Sequence, residues 1–282
     1  MPEYRRFPPP TAQRYAVEHY WMVEAPGDET EVKRAVLIPN GRPGLAIALG
    51  QPGLRQDPLT GTSWTNDGAL FGIMTRPHLL TQSGPSSYVG AELTPWGAAA
   101  LGLQDRLVDG VLPIADWTDA GTAGRLAADL RQLDFGQPRA DKLADFLATR
   151  LHPVRNVELV ERAVRIIEDS GGSVSVAEVA ARTSTSYSSL YRAFSGATGI
   201  GPKQFGEIIR YFGFVGGLIA GPADAATTLA ALHGYYDQAH AARDFKRYTG
   251  VSASSFRAVQ DGIAVLMHER SVQDESADPA GD

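Results

Sequence analysis

One fourteen-residue pattern occurs twice in this chain. RAFSGATGIGPKQF runs from Arg192 to Phe205, and RDFKRYTGVSASSF runs from Arg243 to Phe256, 51 residues further on. The shared pattern is R-x-F-x-x-x-T-G-[IV]-x-x-x-x-F, with six positions coinciding and no gap between them. A pattern repeated in register requires two copies of one supersecondary unit, since each copy must bury its apolar positions in the same way. The copies also agree upstream. Ser186 and Asp237 stand at the same offset, and both are residue types that open helices by accepting a backbone N–H.

Each copy has a direct physical reading. Ser175-Val176-Ala177-Glu178 is a capping box, which predicts a helix that opens after Ser175 and stops before Thr183-Ser184-Thr185. Ser186 then caps a second helix with Leu190 and Phe194 on one face. In the second copy Asp224 caps AATTLAAL, Gly234 supplies the turn and Asp237 caps QAHAARDFKRY. Helix, short turn, helix is the helix-turn-helix unit, whose second helix enters a major groove of DNA. A packed helical hairpin of any all-α protein would account for one copy. Two copies with the same caps and the same Thr-Gly stop favour the DNA-binding unit. Phe194, Phe205, Phe245 and Phe256 read as core. Ahead of the repeat, VELVERAVRIIED is an amphipathic helix ended by Gly171-Gly172.

The first half differs in character. Its short apolar runs RYAVEHYWMV, AVLIP, GLAIALG and ALFGIM are bounded by turn formers such as Pro39-Asn40-Gly41, which predicts an antiparallel sheet or barrel. AGRLAADLRQL and ADKLADFLATRL then show helical spacing. The expected architecture is α+β. Residues 1–152 form a β-rich, barrel-like effector or dimerisation domain with helices, 153–260 form an all-α double helix-turn-helix, and 261–282 are an acidic, disordered tail. Net charge is −6 overall, yet residues 151–260 carry 11 basic and 9 acidic side chains. That mild excess argues against strong non-specific phosphate binding and leaves room for specific recognition.

Chemistry is narrowed by what is missing from the sequence. With no cysteine there is no thiol nucleophile, no disulfide and no zinc–thiolate site, which fits a reducing cytoplasm. The first half has His19, His78 and, at its end, His152, but no H-x-H to hold a metal, and no G-x-S-x-G, P-loop or G-x-G-x-x-G occurs. No enzyme, cofactor or metal is expected. No apolar stretch approaches the ~18 residues of a membrane span, and MPEYRRFPPP lacks a signal-peptide core. Trp21, Trp64 and Trp96 are candidates to line an effector pocket, or else belong to the core.

LHGYYDQAH, RDFKRYTGVS and SLYRAF…GIGPKQF together resemble the two helix-turn-helix units of the AraC/XylS transcriptional regulators, over about residues 154–257. VEHYW, LIPNGRPGLAIALG and ELTPWGAAALGL resemble more loosely the sensor-like domain preceding such units in one branch of that family. The resemblance implies two recognition helices joined by a linker, PKQFGEIIRYFGFVGGLIAG, entering successive major grooves about 34 Å apart. Double-stranded DNA is then the partner. A small-molecule effector, RNA polymerase and a second copy of the chain are further candidates, and no membrane is involved.

The family's recognition positions in the first unit fall on Ser188, Tyr191 and Arg192. In the second, Gln238, Ala239, Ala242 and Arg243 are the solvent-facing candidates, because Gln suits adenine, Arg suits guanine and a methyl suits thymine. Asp237 caps a helix N-terminus that suits a phosphate, and His240 faces either DNA or the core. Lys203, Arg210, Lys246 and Arg247 are phosphate-contact candidates or solvated charges. Arg192 and Arg243 alternatively pair with an acid inside each unit. The sequence departs from the family at Ser184, where a turn glycine is frequent, and at Ala241-Ala242, where a bulky apolar residue usually follows the histidine. It also places Gly213, Gly216 and Gly217 in the linker. Three glycines, each costing about 1 kcal/mol against alanine, predict a kink there. The alternative function is a dimerising or ligand-binding protein whose helical domain binds DNA weakly or not at all.

Overall fold

The computed structural model describes residues 3–27, 32–220, 242–243 and 245–247. Its first half is two antiparallel sheets. The larger contains β1 (Glu3–Phe7), β2 (Val17–Ala25), β4 (Gly44–Ala48), β7 (Gly68–Phe71), β9 (Ser86–Leu93) and β10 (Val111–Pro113), in the order β1-β2-β9-β4-β7-β10. The smaller contains β3 (Val32–Leu37), β5 (Gly53–Gln56), β6 (Ser63–Asn66) and β8 (His78–Ser83), in the order β3-β8-β5-β6. Among the described residues no strand pair joins the two sheets, so the expected barrel is an open two-sheet arrangement. The apolar runs became β2, β3, β4 and β7. β1, β5, β6 and β8 carry too many polar residues to announce themselves, and β10 is only three residues long.

Alternation along β2 separates two environments. Tyr20 and Met22 are fully buried against α4 (Ala120–Gln132) and α5 (Gln137–Ala148), where Leu126, Leu130, Leu143 and Leu147 cover the outer face of the larger sheet. Each such side chain contributes roughly 1.5–3 kcal/mol by leaving water. Trp21 points to the opposite face. It is paired in register with Gly90 of β9, and a Cβ on Gly90 would lie 2.3 Å from the indole, so only glycine lets the ring lie across that strand. Three one-turn helices, α1 (Gly97–Ala100), α2 (Gln104–Leu107) and α3 (Ile114–Trp117), precede α4.

The second half is helical: α6 (Val157–Asp169), α7 (Val176–Arg182), α8 (Tyr187–Thr198) and α9 (Pro202–Ala220). α6 ends at Gly171 and Gly172, both left-handed with φ of 57° and 75°. Val164 and Ile167 of α6, Val179 of α7, Leu190 and Phe194 of α8, and Phe205, Ile208 and Tyr211 of α9 form one buried cluster. Phe194 meets Phe205 edge-on with centroids 5.5 Å apart. Phe245, from the second copy of the repeat, closes the cluster against Tyr211 and Phe214, each at 6.2 Å. Three of the four repeat phenylalanines are thus core, as expected, and Phe256 lies outside the described residues.

The linker glycines do not break the helix. α9 is one helix of 19 residues running through Gly213, Gly216 and Gly217. Buried Tyr211, Phe214 and Val215 flank those glycines, and burying three such side chains outweighs about 1 kcal/mol lost at each glycine. No helix among the described residues is long and apolar enough to cross a membrane.

The turn between α7 and α8 shows what replacing a glycine costs. Ser184 holds φ at 54°, a left-handed conformation that costs an L residue roughly 1–2 kcal/mol. Glycine accepts it freely but loses about 0.5–1 kcal/mol more chain entropy on folding. Ser184→Gly is therefore expected to stabilise the protein by about 0.5–1 kcal/mol, read as a higher urea midpoint with an unchanged slope.

Candidate nucleic-acid interface and the adjoining cavity

α8 is positioned from both ends. Ser186 is its N-cap and accepts from Ser189 N at 3.2 Å, while Gly199 ends it in the left-handed conformation and donates to Ser195 O at 2.8 Å. Ser175 caps α7 in the same way, accepting from Glu178 N at 3.2 Å. With Leu190 and Phe194 sunk in the core, the opposite face of α8 is open. Ser188 and Arg192 are exposed there, and Tyr191 is 46% exposed and stacked on Tyr187 at 6.4 Å. The structure therefore brings all three first-unit candidates together on one solvent face. Ion pairs on the neighbouring surfaces are Arg165 with Glu161 and Arg247 with Glu207, and Arg192 enters none among the described residues.

The remaining candidates divide. Ala242 and Arg243 are helical and exposed, and Lys203 and Lys246 are exposed. Arg247 is exposed with Glu207 at 3.9 Å. Asp237, Gln238, Ala239 and His240 lie outside the described residues. Arg210 is placed differently from the sequence expectation. It is half-buried, and its Nη2 donates to Gly172 O at 2.8 Å, tying α9 to the end of α6.

Between the two sheets lies a cavity of about 270 Å³. Trp21, Ala46 and Tyr88 wall it from the larger sheet, Ala35 and Arg55 from the smaller, and Phe212 of α9 from the helical half. Of the three tryptophans only Trp21 lines it. Trp64 faces His78, with rings 5.6 Å apart. Trp96 is buried with Nε1 donating to Tyr15 O at 2.5 Å, so it belongs to the core. Charged groups line it too, Lys33, Arg42, Arg55 and Glu92, and sequence reasoning missed Arg42 and Arg55 because nothing in their local sequence marks an arginine for burial.

Two family models match the chain. One, described as a helix-turn-helix domain, covers residues 179–258. The other, a domain of unknown function (DUF6597), covers residues 5–104. The C-terminal region is an AraC-type helix-turn-helix domain. Crystal structures of ToxT from Vibrio cholerae share the fold. One from strain O395 is 10% identical over 86% of this chain and 98% of that one, with a TM-score of 0.50. A second, the P21 form of ToxT, has the same identity, coverage and TM-score. No curated protein matches the chain significantly. AraC-type domains of this kind belong to DNA-binding transcription regulators.

The AraC-type domain is joined to the sheets by a charge cluster. Arg42, on the loop after β3, binds Glu18 of β2 at 2.5 Å and Glu168 of α6 at 2.7 Å. Glu92 accepts from Asn40 at 3.2 Å beside it. Glu18, His19 and Glu92 hold their ligand atoms within 4.8 Å of one another, a spacing a metal could use, but the guanidinium already supplies the positive charge on Glu18. Next to this cluster, Gly41 presses on α9: a Cβ there would lie 2.8 Å from the Phe205 ring. Burial pushes the Glu18 carboxyl up to about 7, with Glu92 and Glu168 adding to the rise and Arg42 opposing it.

Removing Arg42 takes away the cation shared by Glu18 and Glu168 across the junction. Arg42→Met is expected to destabilise the protein by about 2–3 kcal/mol, less than the ~3–5 kcal/mol of fully buried pairs because both acids keep some solvent access. Chemical denaturation checks this. The raised Glu18 pKa also has a definite sign. The folded state holds its proton more tightly than the unfolded chain, so the stability it contributes is present below pH 4.5 and is lost as pH rises toward about 7. Glu18→Gln should flatten the stability curve between those values, measured by denaturation at each pH.

Proposed function

We propose that this protein is a transcription regulator that reads double-stranded DNA with α8 and with the helix carrying Arg243, under the control of a small molecule in the inter-sheet cavity. The observation that carries the reading is the open face of α8. Ser188, Tyr191 and Arg192 project from a helix that is capped at its start, stopped at its end and anchored by Leu190 and Phe194. Such a helix offers polar side chains to base edges without losing order on binding.

The linker supports the spacing. Nineteen residues of unbroken α9 span roughly 28 Å at 1.5 Å per residue, comparable to the ~34 Å between successive major grooves. The cavity supports the control. Phe212 stands on α9 itself, so a ligand between the sheets touches the helix that spaces the two reading units. One further observation keeps the weak-binding alternative in play. α2 packs on the far end of α8, where a Cβ on Gly199 would meet Gln104 O at 3.0 Å, so the N-terminal half abuts the reading helix.

Fluorescence anisotropy of the full chain, across a salt series, tests the reading with random DNA and with DNA from upstream of its own coding region. The expected result is tighter binding to the upstream DNA by a factor of about 10³ or more that persists near physiological salt. Equal binding to both, vanishing together as salt rises, would favour the weak-binding alternative. Arg192→Ala is expected to weaken specific binding by about 1–3 kcal/mol and relax preference at one base pair. A uniform loss on every sequence would make Arg192 a phosphate contact.

A further inference from the structure

Arg55 is a charge without a counter-charge. It is 5% exposed, on β5 inside the cavity wall, and its guanidinium lies 3.8 Å over the Phe71 ring. Its hydrogen bonds go to neutral atoms: Nε donates to His78 Nδ1 at 2.8 Å and Nη2 to Met74 Sδ at 3.1 Å. Among the described residues no carboxylate pairs with it. Asp57 and Asp109, the acids that act on neighbouring His78, are both bound by Arg76, at 2.8 and 3.2 Å. His78 supplies no counter-charge either: burial and the nearby Arg55 depress its pKa to about 4, so it stays a neutral imidazole. Burial lowers Arg55 itself to about 9, which still leaves it charged at neutral pH.

An uncompensated buried cation is costly, and proteins rarely keep one unless something else supplies the anion. A guanidinium has five N–H donors in a planar fork. His78 and Met74 take two of them, which leaves three at the outer end of the fork, enough to grip a carboxylate bidentately. Trp21, Tyr88, Phe71 and Ala46 supply apolar wall around it.

We propose that the cavity takes an apolar carboxylate, with its acid group paired to Arg55 and its body between the sheets against Trp21 and Phe212. This rests on the reading of the cavity as the effector site and names the class of ligand it selects. About 270 Å³ is at the small end of ligand cavities, which fits a compact body such as one ring or a medium-length chain.

The test uses the full-length protein and two isosteric series, octanoate, octanol and octylamine, and 3-phenylpropionate, 3-phenylpropanol and 3-phenylpropylamine, titrated by calorimetry. In at least one series the acid is expected to bind about tenfold or more tighter than the alcohol or the amine. Arg55→Met should abolish that preference while leaving the melting temperature of the ligand-free protein unchanged or raised, since it removes an unpaired charge. Arg55→Lys, which keeps the charge but not the fork, should retain a smaller preference. If alcohol and acid bind equally, the anion is wrong but the cavity remains an effector site. No binding in either series overturns the inference, and a lowered melting temperature of Arg55→Met would then make Arg55 a structural brace. Neither result bears on the DNA-binding reading, which the anisotropy measurement decides.

Discussion

α9 has to serve two partners with one surface. Ile208, Tyr211 and Val215 occupy one stripe of the helix and are buried in the AraC-type core with α6, α8 and Phe245. Phe205 and Phe212, seven residues apart, lie on an adjacent stripe. Gly41 presses on Phe205 and Ile209, and Phe212 reaches the cavity. A helix is rigid along its length but has no say over how its side chains are covered, so its position is fixed jointly by the two halves of the protein. Repacking on the cavity side cannot leave the other stripe untouched.

Electrostatics reinforces that joint placement in one spot and leaves it open in another. Arg42 and Arg55 both line the cavity, and both carry charge into a poorly solvated place. Arg42 is answered from two directions, by Glu18 of the sheet and by Glu168 of the helical half, so its charge holds the junction together. Arg55 is answered only by an imidazole nitrogen, a thioether and an aromatic face. The same residue type thus acts as a clasp in one place and as an unfilled socket in the other. The difference lies in the carboxylates around each.

α6, α7 and α8 were legible because their signals are local, while the caps and turn expected at Asp224, Gly234 and Asp237 lie outside the described residues. Ser175, Ser186 and Gly171-Gly172 set helix ends wherever the chain is folded, and the structure has them capping or stopping α7, α8 and α6. β2, β3, β4 and β7 were legible as apolar runs, but β1, β5, β6 and β8 were not, since a strand such as SWTN gains its place from its neighbours' hydrogen bonds and not from its own composition. The linker glycines are the same physical case in reverse, since the helix runs through them unbroken. Local propensity at Gly213, Gly216 and Gly217 was read correctly, and burial of Tyr211, Phe214 and Val215 overrode it. Arg210 looked like a surface cation because sequence does not show that the end of α6 lies against α9. The cavity was invisible for a deeper reason: its wall takes residues from eight strands, and no spacing along the chain encodes that convergence.

The glycines of α9 then take on a different meaning. Gly213 sits between Phe212, which touches the cavity, and Phe214, which touches Phe245 of the second unit. At that point the helix is weakened by about 1 kcal/mol per glycine and is kept regular by packing alone. A stretch held by its surroundings follows them when they change, whereas an alanine-rich stretch would resist. A ligand can shift such an equilibrium only by the difference in its contacts between two states. Contact with Phe212 is where that difference would arise, one residue from the point where α9 is intrinsically weakest and two from Phe214, whose ring meets Phe245 of the second repeat copy.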